Sequence, residues 1–148
     1  MAKIKVVCGF PGSGKTSYIK KNIQRNDLVF DYDEIQTALT FQPKHTDNKA
    51  VHGYVIEIMK NMIKQVKKDK NINILWIIRT VPDKSFQELL DGYDVEYLFI
   101  NKTIFECLEQ INNDPERKYA NKNWYSLLLD LQKEYMKGAY EFCTYINK

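Results

Sequence analysis

Eight residues near the N-terminus have the types and spacing of an anion-binding loop. Residues 9–16 read Gly-Phe-Pro-Gly-Ser-Gly-Lys-Thr and fit the pattern G-x-x-x-x-G-K-[ST]. The glycines let the backbone bend until several N–H groups point inward at one anion. An apolar stretch precedes the motif and a helical pattern follows it, so the N-terminus of a helix adds its positive dipole end. This chemistry suits the phosphates of a nucleoside triphosphate.

The motif predicts a task for each polar residue of the loop. Lys15 would reach the β- and γ-phosphates, and the Thr16 hydroxyl would bind Mg²⁺. We therefore expect ATP and Mg²⁺ as ligands. The residues expected to contact the nucleotide are Gly9, Pro11, Gly12, Ser13, Gly14, Lys15, Thr16 and Ser17.

Two carboxylates follow the second apolar stretch. Asp31 and Asp33 are two residues apart, so on an extended strand their side chains would share a face. An acid there can hold the Mg²⁺ shell, the role predicted for Asp31 as a metal ligand. It can also accept a proton from an attacking hydroxyl, the role predicted for Asp33. The alternative is that these two acids cap the helix that follows, for which Asp33 is well placed.

Two arginines complete the candidate residues. Arg79 ends the third apolar stretch, where it would either pair with Asp31 or Asp33 or hold phosphate groups. Arg117 and Lys118 lie in a polar break, where they would close over the phosphates as a lid or form an exposed turn.

The apolar pattern predicts the elements that must position these residues. Stretches typical of buried strands alternate with helical periodicity, which indicates an α/β fold with a parallel sheet and helices on both faces. Ligands of such sheets bind at the carboxyl ends of the strands. The predicted strands cover residues 3–10, 27–33, 72–80 and 95–101.

Three helices have distinct signals. Residues 51–66 repeat apolar and aromatic side chains at three- and four-residue spacing, so we expect this face, Tyr54 included, in the core. Thr103 and Glu106 have the spacing of a capping box. The last helix is expected to start near Trp124 and to continue through Phe142 and Ile146.

Composition limits the class of protein. The 148 residues are 44% hydrophobic, which suits one domain over residues 1–148, with a lid at about 112–123. The net charge of +3 is a mild bias, although lysines cluster at 60–70 as either a solvated helix face or a track for a nucleic-acid backbone. No stretch approaches the ~20 apolar residues of a membrane span, so we expect no membrane contact.

Cysteine and histidine usage adds two expectations. Cys8, Cys107 and Cys143 are odd in number and have no C-x-x-C spacing, which argues against a disulfide framework or a zinc site. We expect core thiols in a cytoplasmic, monomeric protein. His45 and His52 stand alone in or near a loop, and we expect both on the surface.

The order of these features resembles the small P-loop kinases, and most closely the 5′-hydroxyl polynucleotide kinase domains of bacteriophages. The features are the loop at residues 9–16, the acid after the second strand, the long helix, the apolar third strand and the Arg-bearing break. The resemblance implies a three-layer P-loop NTPase sandwich with a four-stranded parallel sheet in the order 2-3-1-4. It also implies that Asp33 is the general base and that Arg117 lies in a lid.

Two positions depart from that family. Gln36 stands where the family has an arginine three residues after its catalytic acid, and Arg79 stands where the family's third strand ends in an acid. We expect Lys15, Asp33, Arg117 and Arg79 to be the catalytic residues.

The resemblance implies transfer of the γ-phosphoryl group of ATP to a hydroxyl, preferably at a nucleic-acid 5′-end. The alternatives are a nucleoside or small-metabolite kinase, and an ATP-binding accessory protein of phage DNA processing. For a phage-encoded chain, the cytoplasm would be that of the host cell.

Overall fold

The computed structural model describes residues 2–118, 120 and 122–147, with only the backbone of Lys118. The strands are β1 Lys3–Cys8, β2 Leu28–Phe30, β3 Ile74–Arg79, β4 Val95–Asn101 and β5 Thr144–Asn147. The helices are α1 Lys15–Asn22, α2 Tyr32–Thr40, α3 Lys49–Val66, α4 Lys84–Leu89, α5 Ile104–Asn112, α6 Pro115–Lys118 and α7 Trp124–Met136.

The strands of the described residues form one sheet in the order β2-β3-β1-β4-β5. Every neighbouring pair is parallel, so all strands end at the same edge. The predicted α/β class, parallel sheet and order 2-3-1-4 are confirmed. The predicted number of four strands is wrong, because β5 adds a fifth strand beside β4.

Helices cover both faces of the sheet. Val6 of β1 belongs to the larger core cluster together with Val55 and Met59 of α3. The next residue, Val7, points to the other face and packs in a smaller cluster with Ile19 of α1. This alternation along one strand produces the three predicted layers.

The C-terminal part of the chain differs from the predicted long helix. The helix α7 ends at Met136, and Gly138 follows with φ 93, a left-handed conformation that ends helices. Phe142 therefore leaves the helix and is 48% exposed, while Ile146 lies in β5 opposite Ile100 of β4. Helical spacing of the apolar residues predicted the wrong element here, because pairing with β4 is a contact over long sequence distance.

Several smaller expectations have clear outcomes. The capping box of Thr103 and Glu106 is present at the start of α5. All three cysteines are buried and free, as predicted for core thiols. The prediction for Tyr54 is wrong, because its side chain is 70% exposed on the outer side of α3. In the part of the chain that is described, every helix is too short or too polar to cross a membrane.

Candidate functional site

The motif of residues 9–16 forms a tight turn between β1 and α1. Gly12 and Gly14 have φ values of 80 and 95, which residues other than glycine rarely adopt. A Cβ atom on Gly12 would lie 2.5 Å from the carbonyl oxygen of Cys107 in α5, so the loop also packs directly on that helix. Phe10 packs the loop against the sheet, with its ring centroid 5.9 Å from that of Phe99 in β4.

Lys15 folds back over the loop that precedes it. Its Nζ donates hydrogen bonds to the carbonyl oxygens of Gly9, at 2.7 Å, and Phe10, at 2.9 Å. Burial lowers the pKa of Lys15 to about 8, and the positive charge of Arg117 acts in the same direction. An anion bound in the loop would oppose both effects and raise the pKa of Lys15, because it would stabilise the positive charge at Nζ.

Two further observations show that the loop fits a phosphate group. The buried Ser13 Oγ has no hydrogen-bond partner among the described residues. The helix α1 begins without an acidic residue in its first turn and without a side-chain cap, so its N-terminal N–H groups are available. A phosphate oxygen would satisfy donors of this kind.

A cleft of about 1010 Å³ runs from the loop to α2 and α6. It brings together most of the residues that the sequence singled out. Those that line it are Pro11, Gly12, Gly14, Lys15, Thr16, Ser17, Asp31, Asp33, Arg79 and Arg117. Gly9 and Ser13 are buried residues of the loop itself.

The two acids of the cleft do not share a strand face, contrary to the prediction, because β2 already ends at Phe30. Asp31 rather than Asp33 caps α2, since its Oδ1 accepts hydrogen bonds from the N–H groups of Asp33 and Glu34. Asp33 lies in the first helical turn. Burial raises the pKa of Asp31, and the nearby charge of Asp33 adds to the effect.

Asp33 has a neighbour that the sequence reasoning missed. His45 Nδ1 lies 3.2 Å from Asp33 Oδ2, and the side chain of His45 is only 13% exposed. Burial acts to raise the pKa of Asp33, but the hydrogen bond and charge of His45, with Lys122 and Arg117, hold it below its ordinary value. The surface position predicted for His45 is wrong, whereas His52 is exposed, with Nδ1 2.8 Å from the Tyr32 hydroxyl.

Arg79 pairs with neither Asp31 nor Asp33. Its guanidinium donates to Asp83 Oδ2 at 3.3 Å and to the carbonyl oxygen of Val81 at 3.1 Å. The same group lies 4.4 Å from the ring centroid of Phe86. Arg79 thus braces the turn between β3 and α4 while it lines the cleft.

The predicted lid region contains the short helix α6. Arg117 pairs with Asp114 at 3.3 Å and lies 5.1 Å from the ring centroid of Trp124. Residues 119 and 121 of the predicted lid, and the side chain of Lys118, lie outside the described residues. The described part places the Arg117 side chain, 17% exposed, on the cleft.

Gln36 occupies the position where the resemblance led us to expect an arginine. It is 2% exposed and donates through Nε2 to the carbonyl oxygen of Thr46 at 2.7 Å. Thr46 belongs to the loop of residues 41–48 between α2 and α3, which also carries His45. Gln36 therefore fixes the loop that brings His45 to Asp33.

The chain matches no family model and no curated protein. Solved structures do match it. A chain of the Pnkp1/Rnl/Hen1 RNA repair complex has a TM-score of 0.65 at 15% identity over 90% of this chain and 46% of that chain. This protein thus spans less than half of that matched chain.

Two kinases match over most of their length. Shikimate kinase from Acinetobacter baumannii, in complex with shikimate, has a TM-score of 0.61 at 16% identity over 100% of this chain and 83% of that chain. Deoxyadenosine kinase from M. mycoides, with bound dATP, has a TM-score of 0.51 at 16% identity over 100% and 90%. At these identities the likeness shows that this chain shares the fold of these two kinases.

Proposed function

We propose that this protein is an ATP-dependent kinase that transfers the γ-phosphoryl group to a hydroxyl of an acceptor. The observation that carries the proposal is that the Asp33 carboxylate and the Lys15 side chain line one cleft with the phosphate-binding loop. A passive phosphate site has no need of a carboxylate, since this group repels anions. Beside a phosphoryl donor, a carboxylate is useful as a proton acceptor.

The loop residues hold the triphosphate in this proposal. Lys15 exchanges its bonds to the loop carbonyls for bonds to phosphate oxygens, and the N–H groups at the start of α1 bind the same anion. Thr16 and Asp31, which line the cleft together, are the residues that would hold Mg²⁺. Bound Mg²⁺ would neutralise phosphate charge. One or two protein ligands are typical, because phosphates and water complete its shell.

Transfer forms one bond to the γ-phosphorus, breaks another, and moves one proton to Asp33. The acceptor oxygen bonds to the γ-phosphorus, the bond from phosphorus to the ADP oxygen breaks, and the hydroxyl proton passes to Asp33. Arg117 and Arg79 line the cleft and offset the charge that develops on the transferred group. The lowered pKa of Asp33 keeps it ionised and able to accept the proton.

A nucleic-acid 5′-end is the preferred acceptor. One similar structure belongs to an RNA repair complex, and Lys20, Lys49 and Lys122 line the cleft, where they suit a nucleic-acid backbone. A small metabolite is the second candidate, which the likeness to shikimate kinase over this whole chain favours.

An acceptor screen with labelled ATP tests the proposal. The panel contains 5′-hydroxyl DNA, 5′-hydroxyl RNA, nucleosides and a metabolite extract, each with wild-type protein and with Asp33→Asn. Asn keeps the size of the side chain but cannot take the proton. We expect transfer to one class and a fall of about 10²-fold or more in the variant, the scale of general-base catalysis.

Two results would contradict the proposal. Equal transfer by a folded Asp33→Asn protein would remove Asp33 as the base. Nucleotide binding by the wild type without transfer to any acceptor would favour an ATP-binding accessory protein.

A further inference from the structure

His45 has an unusual backbone conformation at the edge of the cleft. Its φ of 64 is left-handed, a region that few residues other than glycine occupy, although histidine is found there more often than most. Its side chain is nevertheless largely buried, at 13% exposure. A residue persists in a costly conformation only when its surroundings hold it there, and such residues cluster at functional sites.

Contacts on two sides hold the loop that carries His45. The buried Gln36 of α2 donates to the carbonyl oxygen of Thr46 at 2.7 Å. Lys44 pairs with Glu34 of α2 and, at 3.6 Å, with Glu116 of α6. The loop of residues 41–48 therefore contacts both α2 and the predicted lid.

The imidazole ring is oriented as well. It makes an edge contact with Trp124, with ring centroids 5.9 Å apart and an interplanar angle of 86°. Arg117 and Lys122 lie 5.1 and 5.5 Å from the centroid of the same indole. With the ring fixed in this way, Nδ1 lies 3.2 Å from Asp33 Oδ2.

We propose that His45 is a positioning residue for Asp33, in which Nδ1–H donates to Oδ2 and leaves Oδ1 to receive the acceptor hydroxyl. The inference rests on the proposed function, which makes Asp33 the base. A carboxylate held at one oxygen cannot rotate freely, so its other oxygen keeps one direction. The bond is charge-assisted, which makes it stronger than a bond between neutral groups.

The first experiment needs no acceptor. The chain has two histidines, so ¹⁵N NMR of the protein without added nucleotide resolves both rings, and His52→Gln assigns them. We expect Asp33→Asn to change the ring-nitrogen chemical shifts of His45 far more than those of His52. Unchanged His45 shifts would overturn the inference.

The second experiment separates the hydrogen bond from the shape of the ring. His45→Asn keeps a donor near the Nδ1 position and tolerates a left-handed backbone. His45→Phe keeps a ring against Trp124 but has no donor, and His45→Gly removes the donor without backbone strain. On the acceptor found by the screen, we expect kcat to fall about tenfold in the Phe and Gly variants and to stay near wild type in the Asn variant.

A double mutant provides the control. If His45 acts through Asp33, His45→Gly lowers kcat no further in an Asp33→Asn background. Additive losses, or equal kcat for the Asn, Phe and Gly variants, would refute the role of His45 while leaving the kinase proposal intact. Loss of transfer in Asp33→Asn tests the kinase proposal separately.

Discussion

At the scale of single residues, Lys15 would link the charge state of the loop to the binding of the proposed phosphates. Burial and the Arg117 charge lower its pKa to about 8, so in the folded protein Lys15 loses its positive charge as the pH rises through about 8. Bound phosphates favour the charged form and raise the pKa again. Nucleotide binding should therefore be coupled to proton uptake.

We predict that ATP binding near pH 8 takes up part of a proton and weakens as the pH rises further. Isothermal titration calorimetry in buffers of different ionisation enthalpy measures the uptake. Lys15→Met should abolish it, whereas Lys21→Met, an exposed lysine in the same helix, should behave like the wild type. A binding enthalpy that is independent of the buffer would disprove the coupling.

At the scale of elements, the turn between β3 and α4 holds Arg79 at the edge of the cleft. Asp83 both caps α4 and pairs with Arg79, so one carboxylate serves the helix and the arginine. The pair is partly exposed and contributes ~1 kcal/mol or less to stability. Arg79 itself lines the cleft, so its importance would lie in contacts of the guanidinium with phosphate groups rather than in this pair.

We predict that Arg79→Met weakens ATP affinity or turnover about tenfold and leaves most of the fold intact. The matched control is Asp83→Asn, which keeps a cap for α4 but removes the charge that faces Arg79. It should leave ATP affinity near the wild-type value. If both variants lose only stability, measured by thermal unfolding, then Arg79 is a structural partner of Asp83.

At the scale of the whole molecule, the cleft joins parts of the chain that are far apart in sequence. The loop after β1, the start of α2, the end of β3 and the helix α6 all line it. The loop of residues 41–48 connects α2 to α6 through the Lys44 ion pairs. A ligand in the cleft would contact residues from several of these elements, so its binding should stabilise the folded state.

We predict that Mg·ATP at a hundredfold excess over its Kd raises the free energy of unfolding by ~2.7 kcal/mol. For a chain of this length the melting temperature should rise by about 5–10 °C. Differential scanning calorimetry with and without Mg·ATP measures the shift, and Lys15→Met should reduce it. Equal melting temperatures together with no binding heat would exclude a nucleotide site.

Local chemistry determined the features that the sequence predicted well. The glycine positions of the loop, the capping box of Thr103 and Glu106 and the alternation of strands and helices depend on residues close in sequence. The residue types of a short segment largely determine its backbone conformation and its local hydrogen bonds. The family resemblance implied the strand order 2-3-1-4, which the structure confirmed for the first four strands.

Only the tertiary structure decided the features that depend on distant partners. Ile146 fits a helical repeat of apolar residues. It lies in β5 instead, because this segment pairs with β4, where Ile146 is opposite Ile100. His45 reaches Asp33 because Gln36 and Trp124 hold its loop and its ring. These contacts form between groups that only folding brings together, so the spacing of residues along the sequence does not predict them.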